Sequence, residues 1–312
     1  MIISASRRTD IPSYYSDWFC NRVREGYLCV RNPMNIHQVS RVSLDPSVVD
    51  CIVFWTKNPE PMLERLGELA AYQYYFQVTL TGYGRDVEMN LPDKHEVLLP
   101  AFKRLSDMIG PERVIWRYDP ILFNDRYTPE YHLRAMRSIA EELEGRTEKC
   151  VISFVDTYTK NRKNMERLQA RELPQAELEQ FAGALAAIAR EHGMVMGSCA
   201  EKIDLATCGI EHNACIDGKL ISRLLGADLK VKKDPVQRVE CGCMASVEVG
   251  TYNTCRHGCT YCYANYSPDA VARSCAAYDP DTPILCGKLE PDDVVTDRKM
   301  VSLVERQQSL GL

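Results

Sequence analysis

Residues 51–59 read Cys51-Ile52-Val53-Phe54-Trp55-Thr56-Lys57-Asn58-Pro59. An apolar run without charge is followed by a polar turn that proline closes. Such a run, bounded by turn signals, is the pattern of a strand covered on both faces, as parallel sheets require. The pattern recurs along the chain. Ile2–Ser6 runs into Arg7-Arg8-Thr9-Asp10, Tyr75–Leu80 into Thr81-Gly82-Tyr83-Gly84, and Val114–Trp116 into Arg117-Tyr118-Asp119-Pro120. Val151–Val155 leads into Asp156-Thr157, and Met194–Gly197 into Ser198-Cys199-Ala200-Glu201-Lys202. Between these runs, Met62–Ala71, Val97–Ile109, Pro129–Leu143 and Ala176–His192 repeat apolar residues three and four apart, with Gly145 and Gly193 placed as C-caps. Strand–helix alternation of this kind means an α/β fold with a parallel sheet, either closed as a barrel or open and doubly wound. Polar groups at the carboxyl end of nearly every strand favour a partial TIM-type α/β barrel, in which those ends converge on one face. An open sheet would confine function to a crevice at a switch point.

Over 312 residues, 43 acidic side chains stand against 38 basic ones, the net charge is −5, and 45% of residues are hydrophobic. Disorder over most of the chain needs fewer apolar residues and more charge. The acidic balance argues against a globally basic nucleic-acid binder. No apolar run approaches the roughly 18 residues of a membrane span. Met1-Ile2-Ile3-Ser4 has neither the basic start nor the apolar stretch of a signal peptide, so a cytoplasmic protein with no membrane partner is expected. The 14 cysteines are the outlier. Cys20, Cys29, Cys51 and Cys150 are scattered and read as small buried hydrophobes, whereas the other ten crowd between Cys199 and Cys286. In a reduced compartment such a crowd points to metal rather than disulfides. The chain divides into residues 1–198, carrying the barrel strands and helices, and residues 199–312, a Cys-rich segment completing the same structural unit. Tyr27–Val30 and Gln38–Leu44 read as an added hairpin. Residues 157–173, with Tyr158, Lys160, Arg162, Lys163, Arg167 and Arg171, read as a solvated connection, with a phosphate-binding lip as the alternative.

The sharpest motif is Val247-Glu248-Val249-Gly250-Thr251-Tyr252-Asn253-Thr254-Cys255-Arg256-His257-Gly258-Cys259-Thr260-Tyr261-Cys262-Tyr263. A β-prone segment feeds a loop with three cysteines spaced C-x3-C-x2-C. Three thiolates on one loop can hold three irons of a [4Fe–4S] cube and leave the fourth without a cysteine. A structural zinc site wants four Cys or His ligands, and His257 is poorly spaced to be the fourth.

With Tyr261 as the aromatic, the motif resembles the C-x3-C-x-aromatic-C signature of the radical S-adenosylmethionine (radical SAM) superfamily. The resemblance implies that Cys255, Cys259 and Cys262 ligate the cluster, that SAM chelates the open iron, and that Tyr261 lies near its adenine. Reductive cleavage of SAM would yield a 5′-deoxyadenosyl radical that takes hydrogen from a substrate, with an electron donor such as flavodoxin or ferredoxin. Members of that superfamily normally carry the motif near the amino terminus. A circular permutation reconciles the two, making Val247–Thr251 the first barrel strand and Ile2–Ser6 its neighbour in space. The usual Gly-Gly-Glu stretch for the SAM amino group is absent, and Arg7-Arg8-Thr9-Asp10 takes its place, with Asp10 as the replacement. Over the whole chain, Ser6-Arg7-Arg8-Thr9-Asp10-Ile11-Pro12, Phe54-Trp55-Thr56-Lys57-Asn58-Pro59 and the terminal cysteine motif resemble a bacterial family known as a domain of unknown function. Spore photoproduct lyase is a distant analogy.

A second set, Cys199, Cys215, Cys241 and Cys243, supplies four thiols, enough for an auxiliary [4Fe–4S] cluster or a zinc site. Buried, inert thiols are the plainer alternative. Arg7, Arg8, Asp10, Lys57, Asn58, Arg117, Asp119, Asp156, Glu201 and Lys202 would ring the barrel mouth. Of these, Arg7, Arg8, Asp10 and Asn58 are expected beside Tyr261 at the cofactor. Asp10, Lys57, Arg117, Asp119 and Glu201 are expected in catalysis, although Arg117 and Asp119 could equally be a structural ion pair. The cations suggest a small substrate bearing carboxylate or phosphate. The expected function is a radical SAM enzyme. The rival is a zinc- or iron–sulfur-stabilised protein binding nucleic acid or a small anion, and a carboxylate hydrolase leaves the Cys255 motif unexplained.

Overall fold

The computed structural model describes residues 1–158 and 161–305. In chain order the strands are β1 (Ile2–Ala5), β2 (Tyr27–Asn32), β3 (Asn35–Ser43), β4 (Cys51–Thr56), β5 (Tyr74–Thr79), β6 (Val114–Ile121), β7 (Lys149–Phe154), β8 (Val195–Ser198), β9 (Ile210–His212), β10 (Val247–Glu248) and β11 (Val294–Asp297). Eight of them form one sheet in the order β10-β1-β4-β5-β6-β7-β8-β9. Every neighbouring pair is parallel, so all eight carboxyl ends lie along one edge. The order is an open series with β10 and β9 at its two ends. What is shown is therefore a parallel α/β sheet, and among the described residues no strand pairing closes it into a barrel. The expected hairpin is present as antiparallel β2 and β3, and β11 adds a third strand beside β3.

The apolar runs are continuous because consecutive residues enter different cores. Ile3, Ile52, Phe76, Trp116 and Ile152 face the helical layer with Phe102, Leu105, Met136 and Leu185. Their neighbours Ile2, Val53, Tyr75, Ile115 and Val151 face the other way, onto Cys215, Ile216, Ile221, Cys241 and Cys243. That is the period of two of a strand buried on both sides. The residues that cover this second face, Cys215, Ile216, Ile221, Cys241 and Cys243, come from beyond residue 198, and β9 and β10 come from there too. Residues on both sides of that boundary thus build one sheet.

The last strand of this sheet lies against the first. Ile3 pairs with Val247 and Ser4 with Glu248, as the sequence reading expected. Glu248 locks the junction by accepting from the Ser4 hydroxyl at 2.8 Å and the Arg7 amide at 3.0 Å. Gly250 is required here, since a Cβ on it would lie 1.8 Å from Ser6 Oγ.

Several elements differ from expectation. The helix read over Met62–Ala71 breaks into Glu60–Leu63 and a 3-10 turn at Leu66–Leu69; Gly67 in its middle is a poor helix former. β6 runs past Trp116 to Ile121 because Arg117 and Asp119 satisfy each other on one face of the strand. Residues 157–173 contain a short helix, Arg162–Arg167. Arg162, Lys163, Arg167 and Arg171 are exposed there, as a solvated connection requires, and Lys160 lies outside the described residues.

Candidate functional site

The cysteine loop leaves the carboxyl end of β10. Its ends are tied by the Asn253 amide donating to the Ala264 carbonyl at 3.1 Å and by Asn265 Nδ2 donating to the Cys255 carbonyl at 2.8 Å. Its remaining peptide groups reach two distant segments. Asn90 binds the carbonyls of Arg256 and His257, at 2.8 and 3.0 Å, and the Thr260 amide donates to Val87 at 2.9 Å. From the helix at 162–167 and the residue before it, Asn164 donates to the Thr260 carbonyl at 2.8 Å and Asn161 to that of Tyr261 at 3.2 Å. Buried peptide groups need partners, and here those partners fix the loop. Cys255, Cys259 and Cys262 remain partly exposed, with their sulfurs in mutual electrostatic reach.

Two buried side-chain networks clamp the loop. In the first, His257 Nε2 lies 2.7 Å from Asp10 Oδ2 and Nδ1 lies 2.9 Å from the Tyr14 hydroxyl. Asp10 also accepts from the Ser13 amide at 3.0 Å, capping the turn Ile11–Tyr14, and from the Lys57 amide at 2.7 Å. Burial would raise the Asp10 carboxyl, but the hydrogen bond and charge of His257 bring it below its usual value. In the second, the Tyr261 hydroxyl donates to Glu88 at 2.6 Å. Glu88 also takes Lys57 at 2.7 Å, Lys94 at 2.9 Å and the Thr81 hydroxyl at 3.0 Å. Burial alone would raise Glu88; the two ammonium groups outweigh it and hold the carboxyl at about 2. Lys57 stands 5.4 Å from the Tyr261 ring and acts electrostatically on Cys259.

The other four cysteines also converge. Cys199 Sγ lies 3.2 Å from Cys215 Sγ; Cys241 and Cys243 are buried in the same cluster as Cys215, where Cys243 acts electrostatically on Cys215 and Cys241 on Cys243. Arg117 Nη1 donates to Cys215 Sγ at 2.8 Å while Nε and Nη2 grip Asp119 at 2.8 and 2.6 Å. The ion pair that is the alternative to a catalytic role for Arg117 and Asp119 is therefore present, and its cation also reaches sulfur. Glu201 accepts from the Phe154 amide at 2.8 Å; burial, with Asp156 and Asp119 nearby, raises its carboxyl to about 7.

Of the remaining expected residues, Arg7 Nε lies 3.6 Å from Glu248, and Arg8 stacks 4.8 Å over Tyr252. Asn58 accepts from the Glu60 amide on its side-chain oxygen at 3.2 Å and from the Ser13 hydroxyl on its carbonyl at 2.8 Å. Asp156 pairs with Arg238 at 2.7 Å. Sequence reasoning missed Glu88, Lys94, Tyr14, Asn161 and Asn164, all in turns or short helices without periodicity. It met His257 only as a poor fourth ligand.

The donor set fits a cluster of three thiolates. Both ring nitrogens of His257 are engaged, so the loop offers three sulfurs and no imidazole. A tetrahedral zinc would draw its thiolates to about 3.8 Å of one another. Among the described residues, neither cysteine set brings three sulfurs within 4.8 Å of one another.

Fold and site together define a parallel-sheet α/β protein with one cysteine set on the loop after β10 and a second buried against one face of the sheet. The chain belongs to the family described as Domain of unknown function (DUF1848), which matches residues 2–264. That span contains β1 to β10 and both cysteine sets. None of the curated proteins matches it. Among the described residues, no helix is long and apolar enough to cross a membrane.

Proposed function

We propose that the chain is a radical SAM enzyme whose [4Fe–4S] cluster is held by Cys255, Cys259 and Cys262. The observation that carries the reading is the engagement of both His257 nitrogens, by Asp10 and Tyr14. It leaves a three-thiolate loop, directly after a strand that pairs in parallel with β1. This order matches a barrel permuted relative to the usual superfamily arrangement. When bound, the cluster and SAM supply reductive cleavage of a sulfonium and hydrogen abstraction; the protein supplies position and exclusion of water.

The chain's own residues divide accordingly. Asp10, expected at the SAM amino group, has its carboxylate occupied by His257, Ser13 and Lys57, so it is assigned to holding the loop. Arg7 and Arg8, at the carboxyl end of β1, are the cations placed to meet a carboxylate or phosphate. Tyr261 is held by Glu88 with its ring beside Lys57. Asp119 and Glu201 present carboxyl groups at the ends of β6 and β8, on the side proposed for a small anionic substrate. A flavodoxin- or ferredoxin-type donor supplies the electron.

Anaerobic reconstitution followed by electron paramagnetic resonance tests this. The reduced protein is expected to show a [4Fe–4S] signal that changes when SAM is added, and Cys259→Ala is expected to abolish that response. A reduced protein whose signal ignores SAM sinks the proposal. Zinc without iron or sulfide after anaerobic purification returns the protein to the class of metal-stabilised binders.

A further inference from the structure

Cys199, Cys215, Cys241 and Cys243 lie outside the loop and arrive from three segments. Cys199 follows β8, Cys215 follows β9, and Cys241 and Cys243 precede β10. Three of the four are buried and Cys199 is partly so. Cys199 and Cys215 meet at 3.2 Å, and Cys241 and Cys243 are buried in the same cluster as Cys215.

The surroundings are donors aimed at sulfur. Arg117 reaches Cys215 Sγ at 2.8 Å, the Ile216 amide reaches Cys243 Sγ at 3.4 Å, and Asn213 Nδ2 reaches Cys215 Sγ at 3.6 Å. Arg117 is 5% exposed. Removing a guanidinium from water is costly unless charge and hydrogen bonds compensate it, and a neutral thiol is a weak acceptor. Asp119 satisfies one side of Arg117; on the other, Nη1 is shared between Gln77 Oε1 at 3.1 Å and Cys215 Sγ at 2.8 Å, and an anionic sulfur suits a buried guanidinium better than a neutral thiol does.

Two simpler accounts fall short. A Cys199–Cys215 disulfide would use two sulfurs and leave Cys241 and Cys243 unexplained in the same cluster. A single zinc would need all four sulfurs about 3.8 Å apart, whereas no three of these four lie within 4.8 Å of one another. We infer that Cys199, Cys215, Cys241 and Cys243 are the ligands of a second, four-thiolate [4Fe–4S] cluster, with Arg117 as its charge partner. Four protein ligands complete this cluster, so it has no open iron and its chemistry is electron transfer or structural support. The inference goes beyond the proposed function and does not rest on it, because the two cysteine sets share no residue.

The test uses the full chain, reconstituted anaerobically with iron and sulfide, in three forms: unaltered, Cys255→Ala with Cys259→Ala and Cys262→Ala, and Cys241→Ser with Cys243→Ser. The loop variant is expected to retain about four irons and four sulfides per chain, with the Mössbauer spectrum of a [4Fe–4S] centre. The Cys241/Cys243 variant is expected to lose that centre and keep the other. Should this variant fail to fold, as judged by circular dichroism, the iron content of the loop variant decides alone. A loop variant that holds no iron, holds zinc instead, or shows the mass loss of a Cys199–Cys215 disulfide overturns the inference. The two proposals fail differently: a cluster that survives loop removal while the unaltered protein ignores SAM refutes only the SAM reading. Iron lost entirely with the loop refutes only the second cluster.

Discussion

The two cysteine sets are built in opposite ways. In the 255–262 loop the thiols lie close in sequence and the protein acts on the backbone and the intervening side chains, through Asn90, Asn161, Asn164, Asp10 and Glu88. In the second set the thiols are far apart in sequence and the protein acts on the sulfurs themselves, through Arg117, Asn213 and the Ile216 amide. A short loop can place its own ligands but needs bracing to hold a shape. Ligands on separate strand ends are braced by the sheet, and what they need is charge compensation in a buried layer.

Breaking the loop's brace at its most charged point gives the largest expected effect. Glu88→Ala leaves Lys57 and Lys94 without their shared carboxylate and should cost about 3–5 kcal/mol, read by chemical denaturation of the anaerobic protein. The second cluster's iron should survive in the fraction that folds. Equal loss of both centres would mean that the two regions are one cooperative unit.

Acid should weaken the fold by a route independent of either set. His132 is fully buried, with its rings nitrogens bound to the Tyr118 hydroxyl and the Leu122 carbonyl at 2.9 Å each. Burial holds it neutral, lowering its pKa from 6.5 to about 4. The unfolded chain therefore takes up this proton first. Stability is complete above about pH 6.5 and falls toward pH 4 by up to about 3 kcal/mol. A denaturation series over that range checks it. His132→Asn should flatten the slope, and an unchanged slope would move the acid sensitivity elsewhere.

Tyr261→Phe removes a single hydrogen bond to a charged acceptor, worth about 2 kcal/mol. It should disturb the loop centre's spectrum and leave the second cluster's unchanged. Asn164→Ala removes one neutral bond to the loop, about 1 kcal/mol. Its expected trace is faster iron loss from the loop under mild chelation, with little change in global stability. If either substitution altered only the second centre, the division of labour between the two regions would be wrong.

Much of this arrangement was legible in the chain. The strand runs at 2–6, 51–55 and 151–155 declare a doubly covered parallel sheet because both of their faces must be apolar. The cysteine spacing declares its own loop because all three cysteines fall within eight residues. Asp10 was legible as a polar residue at a strand end, but not as the partner of His257, 247 positions away. Glu88 carried no signal, since a lone acid in a turn looks solvated until two lysines and a tyrosine are seen around it.

The sequence by itself determined the α/β class, the polar carboxyl edge and the local cysteine motif, all of which rest on spacing over a few residues. Only the tertiary structure decided that Asp10 clamps the loop, that Glu88 is buried between two lysines, and that Arg117 turns its charge toward Cys215. Those facts depend on which distant groups are removed from water together. Local pattern does not record desolvation shared between residues 100 or 200 positions apart.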